Sequence, residues 1–173
     1  TQVLRERGAR RVLAVDVGHD QLAAAVLADP GVVSVEGYNV RYMTAENLAE
    51  STGEQDAPDL ITGDLSFISL AHVFPAIARV AAPGADIVLL IKPQFEVGRT
   101  AVKGGLVSDP VARVDAVERT AWDAWDAGLG MRGILPSPIL GGHGNAEYLA
   151  RFGAGGGDPS QWTERIADLA GGR

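Results

Sequence analysis

Four charged side chains stand where a folded α/β chain gathers its chemistry, and the sequence around each limits its freedom. Lys92 is the sharpest. It ends the apolar run Ile87-Val88-Leu89-Leu90-Ile91 and is followed by Pro93-Gln94-Phe95-Glu96. Burial favours the neutral, basic form of an amine, whereas a nearby carboxylate favours the ammonium. A lysine drawn into a protein rim is rarely left unpaired. It could instead snorkel to water from a strand end, but its place after five apolar residues favours a functional amine with acidic partners.

Asp64 lies between Leu60-Ile61-Thr62-Gly63 and Leu65-Ser66-Phe67-Ile68-Ser69. A carboxylate between two such stretches belongs at a strand's carboxyl end, where α/β ligands bind; its competing role is a helix N-cap. Asp16 follows Val12–Val15 in Val-Asp-Val-Gly. An acid there grips a ribose hydroxyl pair or, just as readily, caps the next helix. Glu147 sits in Gly141-Gly142-His143-Gly144-Asn145-Ala146-Glu147-Tyr148. Alone, it reads as surface. The glycines beside it form no phosphate loop, because a strand follows them where a helix N-terminus is needed.

Other chemistries find little support. His19, His72 and His143 have no ligand spacing, and without cysteine a structural zinc site is not expected. Ser66 and Ser69 lack a G-x-S-x-G elbow. Trp122 and Trp125 are expected to pack in the core. The missing cysteines point to a reducing, cytoplasmic setting. No apolar run reaches membrane-spanning length, and no membrane role is expected. The net charge of −7 means that bulk electrostatics will not hold a polyanion.

The elements that must position these residues alternate in type. Short apolar runs at Val12–Val15, Val32–Glu36, Leu60–Gly63, Ile87–Ile91, Gly133–Leu135 and Tyr148–Phe152 read as strands. Helical spacing lies between them, at His19–Leu27 and through Leu70, Val73, Phe74, Ile77 and Val80 up to Pro83-Gly84. The clearest helix has Asp109 as N-cap and Pro110 at its first position. Its stripe is Val111, Val114, Val117, Ala121 and Trp125, and Gly128 ends it. The predicted class is α/β, a Rossmann-like, mostly parallel doubly wound sheet with an antiparallel last strand. Residues 1–152 are expected to form the domain. Residues 153–173 are expected to be a glycine-rich linker (Gly153–Gly157) and a short amphipathic helix with Trp162, Ile166 and Leu169. Gln2–Arg7 reads as a helix end capped by Gly8, so the first strand and glycine-rich turn of such a domain are not in this sequence.

Together the segments resemble the TlyA-type (haemolysin A, FtsJ-like) RNA 2′-O-methyltransferases. The resemblance runs through Val15-Asp16-Val17-Gly18, Asn39-Val40-Arg41, Asp64-Leu65-Ser66-Phe67-Ile68-Ser69, Ile91-Lys92-Pro93-Gln94-Phe95-Glu96-Val97-Gly98, Gly104-Gly105, Asp109-Pro110 and Gly144-Asn145-Ala146-Glu147-Tyr148, up to about Phe152. It implies a Lys-Asp-Lys-Glu tetrad whose last three members are Asp64, Lys92 and Glu147. Lys92 would act as base or alkoxide stabiliser, oriented by the two acids. S-adenosylmethionine would be the cofactor, with contacts from Asp16, Val17, Asn39, Asp64 and Leu65, and no metal. Ribosomal RNA or ribosomal subunits would be the substrate and partner, with a basic S4-like domain expected upstream. Residues 98–108, with Arg99 and Lys103, could form a lid on the RNA side. Without the family's glycine-rich stretch, the chain is expected to bind cofactor poorly and to be an inactive fragment. The alternatives are a degenerate methyltransferase fold serving as an RNA- or ribosome-binding module and, behind it, an NAD-dependent oxidoreductase sharing Asp16.

Overall fold

Strand-forming runs and capped helices alternate along the whole chain, and the computed structural model, which describes residues 1–98 and 101–172, folds them into two compact units. Thr1–Ala57 form the first and Pro58–Arg173 the second.

In the first unit, helix α1 (Gln2–Glu6) leads to strand β1 (Val12–Val15), helix α2 (Ala24–Leu27), strand β2 (Val32–Val35) and helix α3 (Ala45–Thr52). Gly8, at φ 95°, takes the left-handed turn that ends α1. β1 and β2 are parallel, in register from Val12↔Val32 to Val15↔Val35. Arg5 clamps the approach to β2: its Nε and Nη2 each donate to Asp29 at 3.0 Å. A Cβ on Gly31 would lie 2.1 Å from that guanidinium, which explains the glycine there. The bonds from Arg5 and from the Gly31 amide hold the Asp29 carboxyl below its usual range.

The helix predicted over His19–Leu27 forms only from Ala24. Asp20 adopts φ 57°, its backbone amide donates to Glu36 Oε1 (2.9 Å), and the Gln21 side-chain Nε2 donates to the His19 carbonyl (2.6 Å). A left-handed residue and bonds drawn to side chains leave no i→i−4 ladder there. Conversely, α3 was not anticipated. Leu48 is its one buried residue, so it carries almost no apolar stripe; Thr44 and Asn47 make a reciprocal cap and Gly53 closes it.

The second unit holds strand β3 (Leu60–Gly63), helix α4 (Phe74–Val80), strand β4 (Asp86–Ile91), the single turn α5 (Pro93–Glu96), helix α6 (Pro110–Asp126), strands β5 (Gly130–Pro136) and β6 (Tyr148–Gly153), and helix α7 (Thr163–Ile166). The sheet order is β3-β4-β6-β5. β3 and β4 are parallel, whereas β6 runs antiparallel to both neighbours, as predicted for the last strand. Ile87, Leu89 and Ile91 of β4 face the core beside Phe152, Ala150 and Tyr148 of β6. Phe74 of α4 meets Phe152 edge-on at 5.2 Å.

α6 begins as predicted, with Asp109 accepting from the Val111 amide and Pro110 in the first turn. Its buried face matches the predicted stripe at Val117 and Ala121 but not at Val111 or Trp125. Ala116, Val117, Thr120, Ala121 and Ala124 point inward, while Val111, Trp122 and Trp125 are exposed (66%, 44% and 40%). Small residues bring the helix close to the sheet, and the large rings lie outside. Gly153–Gly157 is not a flexible linker either. Gly153 ends β6, Gly130 and Gly156 sit so close that a Cβ on Gly156 would lie 2.1 Å from the Gly130 carbonyl, and the Gly157 amide donates to Met131 at 2.8 Å. Beyond it, α7 and a π-helical turn, Ala167–Gly171, pack on α6 through Ile166 and Ala170.

Candidate active site

The carboxyl ends of β3 and β4 lie side by side because these strands are parallel, with Gly63 opposite Leu89. Gly63 has to be small, since a Cβ would lie 2.7 Å from the Leu89 side chain. Asp64 follows β3 and Lys92 follows β4, so adjacent strands deliver both to one rim. Lys92 Nζ reaches Asp64 Oδ1 at 2.6 Å and donates to Ser66 Oγ at 3.1 Å. The lysine side chain is only 12% exposed, whereas Asp64 is 72% exposed. The ammonium is thus embedded and paired, and among the described residues its third N–H has no acceptor. Sequence reading placed Asp64 and Lys92 here; it missed Ser66, because a serine without an elbow motif carries no signal.

Phe67 was missed as well. It is 92% exposed at φ 64°, a costly conformation for a bulky residue. Its ring lies 5.2 Å from Phe95, and Lys92 Nζ lies 6.0 Å from the Phe95 ring centre. Strain held beside a paired lysine marks a functional loop more readily than a packing one.

Glu147 arrives from the other side of β4. The rung Ile91↔Tyr148 places Lys92 and Glu147 just beyond the same end of neighbouring antiparallel strands. The carboxylate is buried, 7% exposed, and accepts from Gln94 Nε2 at 2.8 Å. Among the described residues no ion pair or hydrogen bond joins it to Lys92. The three expected residues therefore gather at one rim as Asp64–Lys92 and Glu147–Gln94, and the expected direct orientation of Lys92 by Glu147 is not formed. Among the described residues Gln94 Oε1 is buried without a donor, a state that costs about 1–3 kcal/mol.

Asn145 builds the turn that carries Glu147. Nearly buried, it donates to the Gly105 and Gly142 carbonyls (2.7 Å each) and accepts from the Val107 amide (3.0 Å). These bonds tie the turn to the segment expected as a lid, where Lys103 and Leu106 form a small bridge. Arg99 lies outside the described residues.

In the first unit, Asp16 ends β1. One carboxylate oxygen accepts from the Gly18 amide at 2.7 Å; the other has no partner among the described residues. Val17 is exposed. The Asn39 side-chain oxygen accepts from the Arg41 amide at 3.1 Å, capping the 3₁₀ turn Val40–Tyr42. Leu65, in the second unit, is half-buried. Among the described residues no helix is long and apolar enough to cross a membrane, and no group of three His, Asp or Glu could hold a metal.

Residues 1–154 match the model of the FtsJ-like methyltransferase family. Over 150 residues the chain is 46% identical to the 16S/23S rRNA (cytidine-2′-O)-methyltransferase TlyA of Mycobacterium tuberculosis, covering 86% of this chain and 54% of that protein. A solved structure described as a hemolysin from Streptococcus thermophilus superimposes with a TM-score of 0.86 at 36% identity, over 96% of this chain and 60% of that one. An S-adenosylmethionine-dependent methyltransferase from Mesorhizobium loti, at 16% identity, shares the fold (TM-score 0.57, 87% and 83% covered). The chain spans about half the length of the curated relatives it matches.

Proposed function

Because the chain belongs to the FtsJ-like methyltransferase family, we propose that the protein carrying it transfers a methyl group from S-adenosylmethionine to a ribose 2′-hydroxyl of ribosomal RNA. The observation that carries this reading is the embedded Lys92 ammonium, paired with Asp64 at 2.6 Å. Bound S-adenosylmethionine supplies an electrophilic methyl on a sulfonium, whose departure as a neutral thioether asks nothing of a metal.

The chain's residues do the rest. The spare N–H of Lys92 donates to the 2′-oxygen and stabilises the negative charge that grows as it attacks. An ammonium is a donor, so alkoxide stabilisation fits Lys92 better than the role of base, and the exposed Asp64 carboxylate is placed to take the hydroxyl proton. Ser66 Oγ and Asp64 fix two of the ammonium's three directions, which aims the third. The Glu147–Gln94 pair holds the β4–β6 side of the rim. Phe67 offers a flat apolar face against which an unstacked base can rest. In the first unit, Asp16 is suited to a ribose hydroxyl pair, with Val17 and Asn39 as further cofactor contacts; in the second, Asp64 and Leu65 are the residues the family resemblance offers to the cofactor. With a net charge of −7, phosphate attraction has to come from groups other than this acidic surface, as the expected basic S4-like domain would provide.

The test uses the intact protein, methyl-labelled S-adenosylmethionine and ribosomal subunits. A 2′-O-methyl group blocks alkaline cleavage of the following phosphodiester, so label is expected in alkali-resistant dinucleotides. Label recovered in mononucleotides would assign transfer to a base. No incorporation would favour a degenerate fold that only binds RNA.

A further inference from the structure

One acid beside this rim has no part in the reaction just described. Glu96 is the last residue of α5, the turn that Lys92 begins, and its carboxylate is largely buried. It accepts from Ser69 Oγ at 2.5 Å through one oxygen and from the Leu70 amide at 3.0 Å through the other. Ser69 in turn caps the 3₁₀ turn Leu70–His72 by accepting from the Ala71 amide at 3.2 Å.

The same loop is therefore held at three places by one short turn of chain. At its start, Asp64 and Ser66 bind Lys92. In its middle, Phe67 lies against Phe95. At its end, Ser69 and Leu70 bind Glu96. Between the outer ties, Phe67 stands in a left-handed conformation that a free loop would leave. A strained residue persists only where both flanks are fixed. The start is fixed by a pair whose acid is mostly in solvent, so the end is where a firm anchor is needed.

We propose that Glu96 is a positioning residue, whose carboxylate locks the loop 64–69 in the form that keeps the Ser66 hydroxyl on Lys92 and turns Phe67 outward. The proposal rests on the methyl-transfer reading for its consequence, though not for its geometry. Burial pushes the Glu96 carboxyl up, and the Asp123 carboxylate of α6 adds to this, while the bonds from Ser69 and Leu70 and the nearby His72 oppose it. Asp123 is itself pushed up by burial, and Arg119 of α6 reaches the Glu96 backbone carbonyl at 3.4 Å.

The test is Glu96→Gln in the intact protein, beside Ser69→Ala and Ser69→Thr. A glutamine offers one acceptor oxygen to two donors. Amide hydrogen exchange across residues 65–70, corrected for intrinsic rate, is expected to rise by about fivefold or more in Glu96→Gln and Ser69→Ala. Ser69→Thr, which keeps the hydroxyl, should restore protection. Turnover at saturating substrates is expected to drop about tenfold to hundredfold, with the KM for S-adenosylmethionine unchanged. Unchanged exchange and unchanged turnover in a folded Glu96→Gln protein would overturn the proposal. So would a loosened loop with full turnover. If the parent protein transfers no methyl group, the methyl-transfer reading falls, and the exchange experiment still decides whether Glu96 holds the loop.

Discussion

Gly141→Ala probes the rim without replacing a charged residue. Gly141 sits at φ −73° and ψ −176°, backbone that alanine adopts without strain. A methyl there, however, would lie 2.0 Å from Glu147 Oε1 and 2.4 Å from its Cδ. Ordinary contact begins near 3.4 Å, so the carboxylate must retreat by about 1.4 Å. A shift of that size, unless Gln94 follows it, breaks the bond from Gln94, now 2.8 Å. Loss of one hydrogen bond to a charged group costs about 1.5–3 kcal/mol, which a folded domain can bear. For catalysis the displacement matters more, since a misplacement of about 1 Å is worth roughly a hundredfold in rate. Single-turnover methyl transfer by the intact variant is therefore expected to slow by about that factor, with a melting transition that stays cooperative. Activity within about threefold of the parent, in a variant that has lost the Gln94–Glu147 bond by NMR, would refute the reasoning about Glu147.

Further outcomes follow from single side chains. Asn145→Ala removes three hydrogen bonds and strands the buried Val107 amide; urea unfolding should show a loss of about 3 kcal/mol. Phe67→Gly relieves about 1 kcal/mol or more of backbone strain and forfeits about 1 kcal/mol of ring contact, so its melting should barely move while methyl transfer falls. The Asp29 and Asp86 carboxyls are held below their usual range by Arg5 and by Arg151 with Arg132. A lowered native value stabilises the fold above the ordinary carboxyl range and is lost as pH falls through the lowered one. Thermal melts should thus decline on acidification below about pH 4, and Asp29→Asn with Asp86→Asn should flatten that decline.

Much of the fold was legible, because β-branched runs and a capped helix announce themselves locally. Ile87–Ile91 and the Asp109-Pro110 start of α6 are examples. What escaped depended on partners distant in the chain. The helix expected from His19 stops short because the Asp20 amide is drawn to Glu36. The glycines at 153–157 are drawn into the fold because the Gly130 backbone packs on Gly156. The tryptophans of α6 face outward because alanines on the opposite side suffice to approach the sheet. In the site, Asp64 and Lys92 could be placed because each ends a recognisable strand. Ser66, Gln94 and Glu96 could not, since an unremarkable serine, amide or acid gains meaning only from the side chain it touches.

The most direct measurement is methyl transfer by the intact protein carrying Lys92→Ala, with RNA affinity measured in parallel. Transfer is expected to fall by at least about a thousandfold, the scale lost with an oxyanion-stabilising donor, while RNA affinity changes little. Transfer at the parental rate with the Asp64 carboxylate left unpaired would contradict the assignment of Lys92 to the reacting oxygen.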